Sequence, residues 1–216
     1  MVEKMSDDEN PSSEVRAPVT KRGRPRNQTK EDLLHKAMLV FWRKGYEAAS
    51  LDDLTLGMGI TRPSLYNDFG SKYELFLSVL DYYRDLFGAE PMKAAAQADT
   101  PEQAVAAFLR TALEGNTQKN SPTGCLLSCV AATNATEFPE VGEKLAQTLQ
   151  ATHDELCRVI WADIPPADAE VKATLTIDFM NAQAVRARGG ASRDQILKGL
   201  PSRVAAVTTA SHCEAR

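Results

Sequence analysis

The segment from Arg62 to Phe69 concentrates side chains that could recognise a nucleic acid. Within eight residues it carries a guanidinium, a hydroxyl, a phenol, a carboxamide and a carboxylate, on Arg62, Ser64, Tyr66, Asn67 and Asp68. These groups suit the base edges and phosphates of a DNA major groove. Leu65 and Phe69 are four residues apart, so on a helix they share a face that can anchor the segment inward. The pattern therefore predicts a short helix that reads DNA.

Thiol and imidazole groups form a second set of reactive side chains in the C-terminal half. Cys125 and Cys129 are four residues apart, as are His153 and Cys157, so each pair shares one face of a predicted helix. If the two pairs faced each other, they could bind copper or zinc, or supply a thiolate to oxidants and electrophiles. Free cysteine is nevertheless often a small buried hydrophobe. We expect packing, without a bound metal or cofactor, and keep a thiol- or metal-responsive site as the alternative.

Local signals for helix ends determine where the DNA-reading helix begins. Ser50 followed by Asp53 predicts an N-cap with an acid at the third helical position, and the glycines of Gly57-Met58-Gly59-Ile60 are expected to end this helix. Thr61 and Pro63 then provide a cap and an early proline for the next helix. Two helices joined by about four residues are typical of a helix-turn-helix motif.

Another helix should follow the recognition helix directly. Ser71 and Glu74 form a capping-box pattern, which predicts a helix from Ser71 to Phe87. Its apolar stripe consists of Leu75, Phe76, Val79, Leu80 and Tyr83. Lys72 lies in the first turn, where the N-terminal amides already favour an anion, so we expect it to contact a phosphate.

A basic segment precedes the first helix. Arg22, Arg24 and Arg26 belong to an Arg-Gly-Arg-Pro-Arg run that resembles an AT-hook, in which arginines follow a narrow minor groove. The alternative is a disordered, solvated charge run, which is what such sequences usually form. Both interpretations hold if the arm is solvated in the free protein and becomes ordered only on DNA.

The charge distribution supports a DNA contact at one end of the chain only. The net charge is −3 over residues 1–19, +4 over 20–72 and −5 over 73–216, within a total of −4. A nucleic-acid-binding protein needs positive charge only where it meets phosphate. No apolar run long enough to span a membrane and no secretory signal is evident, and the four cysteines lack framework spacing. We therefore expect a cytoplasmic protein with reduced thiols that does not bind membranes.

Residues of roughly 29 to 77 resemble the DNA-binding domain of the TetR family of bacterial one-component repressors. The resemblance rests on Thr29 to Lys44 followed by Gly45-Tyr46, Ser50-Leu51-Asp52-Asp53-Leu54, Met58-Gly59-Ile60, Leu65-Tyr66 and Phe69-Gly70-Ser71-Lys72. It implies base or near-base contacts for Arg62, Ser64 and Asn67. The resemblance also implies that Pro63 closely approaches the DNA. Many relatives carry histidine where this chain has Asp68.

The resemblance also implies phosphate contacts for Ser50, Tyr66 and Lys72. Together with the arm and the cap of the recognition helix, the predicted DNA contacts are Arg22, Arg24, Arg26, Ser50, Thr61, Arg62, Pro63, Ser64, Tyr66, Asn67 and Lys72.

The rest of the chain predicts helices and no alternating strand, so we expect an all-α protein. The predicted helices run from Thr100 to about Asn116, Gly124 to Thr136, Glu140 to Ala162, Ala167 to Arg188 and Ser192 to Thr209, the last kinked at Pro201. We divide the chain into a disordered arm (1–27), a three-helix DNA-binding domain (28–77), an effector-binding and dimerisation domain (78–210) and a tail (211–216).

Two apolar faces near the C-terminus predict a homodimer. One comprises Val171, Leu175, Phe179 and Ala182 to Val185, and the other Ile196, Leu197, Leu200, Val204 and Val207. In the TetR family the last two long helices of each subunit form a four-helix dimer bundle, so a two-fold dimer would read a palindrome. The alternative is that these faces complete the core of the monomer.

These observations favour a homodimeric repressor that an unknown small-molecule effector releases from its operator. The chain lacks a serine-histidine-acid arrangement and a phosphate-cradling glycine loop, so we do not expect an enzyme. An architectural DNA-binding protein is a remote alternative, because it would not need a second domain of more than 100 residues.

Overall fold

The computed structural model describes residues 28–119 and 121–211. All regular structure in these two ranges is helical and contains no strand, which confirms the predicted fold class. The basic arm with Arg22, Arg24 and Arg26 lies outside the described residues, as does most of the predicted tail. In the described ranges, no helix has the length and apolar content needed to cross a membrane.

The helices form a small head followed by a larger body. The head, residues 28–87, contains α1 (Lys30–Lys44), α2 (Leu51–Met58), α3 (Arg62–Phe69) and α4 (Lys72–Phe87). The body, residues 88–211, contains α5 (Ala89–Ala96), α6 (Pro101–Gly115), a π-helical segment (Leu127–Ala131), α7 (Ala132–Asn134), α8 (Pro139–Ile160), α9 (Pro166–Arg188), α10 (Arg193–Lys198) and α11 (Leu200–Thr209).

Side-chain caps fix the helix starts in the head. At α2 the Ser50 hydroxyl accepts the Asp53 N–H at 3.1 Å while the Asp53 carboxylate accepts the Ser50 N–H at 3.0 Å, which completes a capping box. The capping box predicted at Ser71 is only half formed. Glu74 donates its N–H to the Ser71 hydroxyl, but the Ser71 N–H donates to the carbonyl of Phe69, so the Glu74 carboxylate is not needed there.

Two glycines allow α2 to end tightly and to pack against α1. Gly59 adopts a left-handed conformation with φ of 70°, and its N–H donates to the Thr55 carbonyl at 2.9 Å. Gly57 lies inside α2, where a Cβ atom would come within 2.7 Å of Val40 Cγ2. The turn predicted from the sequence therefore begins after Met58, and Gly57 serves helix packing instead.

The core of the head continues into the body. Phe41, Trp42 and Phe76 are fully buried in a cluster with the apolar stripe of α4, whose predicted members are all buried. The same cluster includes four body residues, Leu126, Val130, Ala131 and Val141. The core of the head therefore extends into the body, which also has a second, separate core of its own.

The body departs from the predicted helices at three places. The sequence pattern does not predict α5, because no side chain caps its start. The segment predicted as one helix from Gly124 is a π-helical turn that runs into the short α7. The predicted kinked helix is two helices, since Gly199 separates α10 from α11 and Pro201 occupies the first turn of α11, where a missing N–H costs nothing.

The second apolar face predicted for dimerisation is instead buried in the monomer. Ile196, Leu200, Val204 and Val207 are at most 4% exposed and pack in the body core with α6 and α9, and Leu197 packs half-buried against it. They are positioned there because α11 folds back along α6, which turns its apolar stripe inward. The prediction that this second face forms the dimer surface is therefore wrong. The alternative, that the face completes the core of the monomer, is correct.

Candidate nucleic-acid interface and body cavity

The recognition helix α3 presents its polar side outward. Leu65 is fully buried and Phe69 is 8% exposed, so these two side chains hold α3 against the head as predicted. Tyr66 is 47% exposed, so its ring and hydroxyl are accessible to a binding partner. The neighbouring Pro63 and Asn67 are also exposed.

Thr61 and Ser64 form a small hydroxyl pair at the start of α3. The Thr61 hydroxyl accepts the Ser64 N–H at 3.4 Å and donates to the Ser64 hydroxyl at 3.2 Å. Thr61 is therefore occupied as the N-cap of α3. A DNA contact by either residue stays a prediction, and in Ser64 the hydroxyl proton is free for an acceptor.

Arg62, at the first position of α3, is held by an acid on α2. Its Nε and Nη2 donate to the same oxygen, Oδ1 of Asp52, at 3.1 and 2.7 Å. Both side chains are largely exposed, at 55% for Arg62 and 76% for Asp52. Asp52 was not predicted as a functional residue, because a sequence pattern does not show that α2 and α3 bring these two ends together.

Lys72, at the start of α4, is also held in position. Its ammonium lies 4.4 Å from the centroid of the Tyr46 ring and donates to the carbonyl of Glu47 at 3.4 Å. A cation over an aromatic face is stabilised by the ring quadrupole. The side chain is thus restrained beside the N-terminal amides of α4, the place where a phosphate would bind.

Ser50 belongs to a charged cluster at the start of α2. Its hydroxyl donates to Asp53 Oδ2 at 2.8 Å, and Lys44 Nζ lies 2.6 Å from Asp53 Oδ1. The hydrogen bond from Lys44, followed by those from Ser50, lowers the pKa of Asp53 to about 2. Asp53 therefore remains ionised as a cap, and Lys44 offsets its charge at this surface.

Asp68, the acid of the recognition helix, is half-buried and interacts with other groups of the protein.

The phosphate roles of Lys72 and Tyr66 lead to a direct prediction. Lys72→Ala and Tyr66→Phe should each weaken operator binding without unfolding the protein, since neither side chain is itself part of the buried core. Lys72→Ala should also flatten the dependence of log affinity on log salt concentration by about one unit per contacted half-site. Gel-shift titrations at several salt concentrations measure both quantities.

Lys93→Ala is the matched control for that experiment, because it removes one positive charge from an exposed position in the body, where Lys93 pairs with Glu90. An unchanged affinity and salt slope for Lys72→Ala would show that Lys72 does not contact phosphate.

The body contains a partly open cavity of about 500 Å³ beside the end of α4. Its wall combines apolar and aromatic side chains with a few polar groups, and it includes Tyr83, Arg84, Phe87, Glu90, Phe108, Glu114, Asn116, Cys125, Met180, Asn181 and Ala184. Cavities of this size accept drug-sized molecules. The cavity lies within the helices where the sequence predicts an effector.

The predicted facing of the two thiol pairs is not found. Cys125 lines the cavity and packs against the core shared with the head, whereas Cys157 packs against the separate core of the body. Cys157 Sγ lies 4.0 Å from His153 Nδ1, so that pair meets only within its own helix. No group of three or more histidine, cysteine, aspartate or glutamate side chains in the described ranges is arranged to hold a metal ion.

The environments of the thiols differ. Burial raises the pKa of Cys129, and burial with the nearby Asp154 and Glu170 carboxylates raises the pKa of Cys157. Both sulfurs therefore remain protonated thiols at neutral pH and are poor nucleophiles. Cys125 is half-buried against the hydroxyl of Tyr83, whose own pKa burial raises strongly.

Comparison with known proteins identifies the class of the chain. Residues 33–79 match the family model described as bacterial regulatory proteins, tetR family. The HTH-type transcriptional repressor ComR of Escherichia coli is 32% identical over 191 residues, which is 82% of this chain and 88% of ComR. The HTH-type transcriptional activator FasR of Mycolicibacterium smegmatis is 41% identical over 61 residues, which is 28% of each chain.

A solved structure extends the likeness over nearly the whole body. CifR, a TetR family transcriptional regulator solved as a cysteine mutant complexed with 26-base-pair operator DNA, superposes with a TM-score of 0.76 at 31% identity, covering 85% of this chain and 99% of that one. The fold and the exposed α3 thus define a helix-turn-helix DNA-binding transcriptional regulator. The chain belongs to the TetR family of bacterial regulatory proteins.

Proposed function

We propose that this regulator is a homodimeric repressor that leaves a palindromic operator when a small molecule binds in the body cavity. The observation that carries the proposal is the course of α4. This helix begins at Lys72 beside the predicted phosphate site and ends with Tyr83, Arg84 and Phe87 in the cavity wall. A ligand that displaces its end would therefore also displace its beginning.

Further contacts couple the body to the head. Lys144 of α8 contacts both carboxylate oxygens of Asp81 on α4 at 2.7 and 2.8 Å, and Tyr73 donates to Glu140 at 2.9 Å. Arg188, at the end of α9, donates to the carbonyl of Trp42 at 2.5 Å. Two states that differ in these contacts would differ in the separation of the α3 helices, so a ligand with unequal affinity for them shifts DNA binding.

The cavity wall favours a neutral, largely apolar effector with a few hydrogen-bonding groups. The charged side chains of the wall are already paired. Glu90 lies 2.7 Å from Lys93, and Glu114 lies 2.6 Å from Arg193. Arg84 is paired with Asp81 and Asp85. The wall therefore offers a charged ligand no uncompensated opposite charge, whereas its carboxamides can bind a carbonyl or hydroxyl group.

The outer sides of α9 and α11 support a dimer. Val185 of α9 is 56% exposed and Ala182 beside it is exposed, and Ala205 and Ala206 are exposed on α11. Small and apolar side chains allow helices to approach closely, as the four-helix bundle of the family requires. A two-fold dimer would place two copies of α3 in successive major grooves, about one helical turn of DNA apart.

Sequencing the DNA fragments that the protein retains from its own genome tests the operator. The expected result is an inverted repeat with half-sites spaced for a two-fold dimer, located near a promoter. Recovery of unrelated sequences in proportion to their abundance would contradict the proposal and would favour an architectural DNA-binding protein.

The effector site is tested with neutral, apolar fragments and with carboxylate and ammonium analogues of the same size. Neutral fragments should raise the melting temperature and release operator DNA. Ala112→Trp, which fills part of the cavity, should abolish both effects. Arg110→Trp is the matched control, since Arg110 is exposed on the same helix. A selective response to charged analogues would contradict the assigned ligand class.

Arg188 provides a prediction about the connection between body and head. Arg188→Ala should destabilise the protein by about 1.5 to 3 kcal/mol, the range for hydrogen bonds from a charged donor. It should also weaken operator binding, although Arg188 belongs to α9 and is not among the predicted DNA contacts. Arg110→Ala, which removes an exposed guanidinium from α6, should change neither quantity appreciably. Chemical denaturation and gel shifts on both variants decide between these outcomes.

The thiol-responsive alternative rests on the position of Cys125 in the cavity wall. We expect the thiols to pack rather than sense, so peroxide, an alkylating quinone or copper should leave the reduced protein on its operator. Cys→Ser at Cys129 or Cys157 should lower stability by burying a hydroxyl. Rapid labelling of Cys125 together with loss of DNA binding, abolished by Cys125→Ser, would instead establish a sensor of chemical stress.

A further inference from the structure

Two of the five N–H groups of Arg62 are already committed before DNA is present. Nε and one N–H of Nη2 donate to Oδ1 of Asp52. A guanidinium has three further N–H groups, and two of them form the outer fork made by Nη1 and Nη2. That fork has the geometry that binds O6 and N7 of guanine in a major groove. Asp52 therefore occupies the side of Arg62 that base recognition does not need.

The Asp52–Arg62 ion pair contributes little to folding. Both side chains are mostly exposed, and exposed ion pairs stabilise proteins weakly. The capping box of α2 is complete without Asp52, because Asp53 supplies its acid. A positive charge at the first position of α3 also faces the positive end of its helix dipole. The pairing thus requires an explanation other than stability.

A carboxylate on the surface predicted to meet DNA would repel phosphates. This cost is tolerable if the carboxylate orients a side chain that reads a base. We propose that Asp52 is a positioning residue that fixes the guanidinium of Arg62 and thereby sharpens its preference for guanine. The proposal rests on the function proposed above, in which α3 lies in the major groove.

The test compares Asp52→Ala, Asp52→Asn, Arg62→Ala and the double variant Asp52→Ala/Arg62→Ala. Each is titrated against the selected operator, against the operator with the guanine pair contacted by Arg62 replaced by adenine in both half-sites, and against a random duplex. Circular dichroism confirms that each variant is folded. The measured quantity is the ratio of affinities for the first two duplexes.

Asp52→Ala should lower this discrimination roughly twofold to thirtyfold, the effect of an exposed ion pair counted over two half-sites. Binding to the random duplex should stay equal or become tighter, because a negative charge is lost. Asp52→Asn keeps the Oδ1 acceptor and should retain most of the discrimination. In the Arg62→Ala background, Asp52→Ala should change the ratio no further.

The possible failures are distinguishable. If Arg62→Ala relaxes discrimination but Asp52→Ala tightens binding to all three duplexes equally, Asp52 is only a repelling charge and the positioning role is wrong. If Arg62→Ala leaves discrimination intact, the readout assigned to α3 and the role of Asp52 both fail.

Discussion

Replacing Arg62 with alanine is expected to abolish the preference for one base pair in each half-site. Loss of a bidentate contact to guanine costs about 1 to 3 kcal/mol of discrimination. Over the two half-sites of a dimer this amounts to about 2 to 6 kcal/mol, or roughly thirtyfold and upward. Competition binding with operators substituted at single positions measures the loss and locates the base pair.

Arg62→Lys is the control that separates charge from geometry. Lysine keeps the positive charge but lacks the planar fork, so general affinity should persist while discrimination falls. An equal loss of binding on every sequence for Arg62→Ala would show that Arg62 contacts phosphate instead of a base.

Removal of the basic arm is expected to have the second large effect on DNA binding. Residues 20–27 carry four basic side chains and no acid, so a dimer without them loses eight positive charges. The slope of log affinity against log salt should flatten by up to about seven units if all of them meet phosphate. The affinity loss should be greatest for operators with A·T-rich flanks, whose narrow minor groove attracts arginine.

Two truncations isolate this contribution. Deleting residues 1–19 removes a net charge of −3 and should leave DNA affinity unchanged or raised, whereas deleting residues 1–27 should lower it. Thermal stability should stay constant in both variants, because the described helices begin only at Lys30. Equal affinity of the two truncated proteins on an A·T-rich site would show that the arm is a solvated tail.

The sequence predicts the head closely because its signals are local. Ser50, Thr61 and Ser71 cap helices that begin where the pattern indicates, and Leu65 and Phe69 form the buried side of α3. Each of these features depends on residues within four positions of one another, so no knowledge of tertiary contacts is required.

Features that depend on distant residues could not be predicted in the same way. The contact of Asp52 with Arg62 requires the crossing of two helices, and that of Lys72 with Tyr46 spans a longer stretch of chain. The inward face of α11 resembles a dimer surface in the sequence, because a sequence shows that a stripe is apolar but not which partner covers it. The spacing of the cysteines likewise predicted shared helical faces without showing that the two pairs lie apart.

The apolar core that head and body share limits how this regulator can change. Leu126 and Val141 of the body pack in one cluster with Val79 and Tyr83 of α4. A head transplanted onto an unrelated body would meet a surface of the wrong shape on that side of α4. The DNA-reading part is thus not an interchangeable module. New operators or new effectors are accessible by substitution in place on α3 or in the cavity wall, whereas exchange of whole halves would require rebuilding the joint between them.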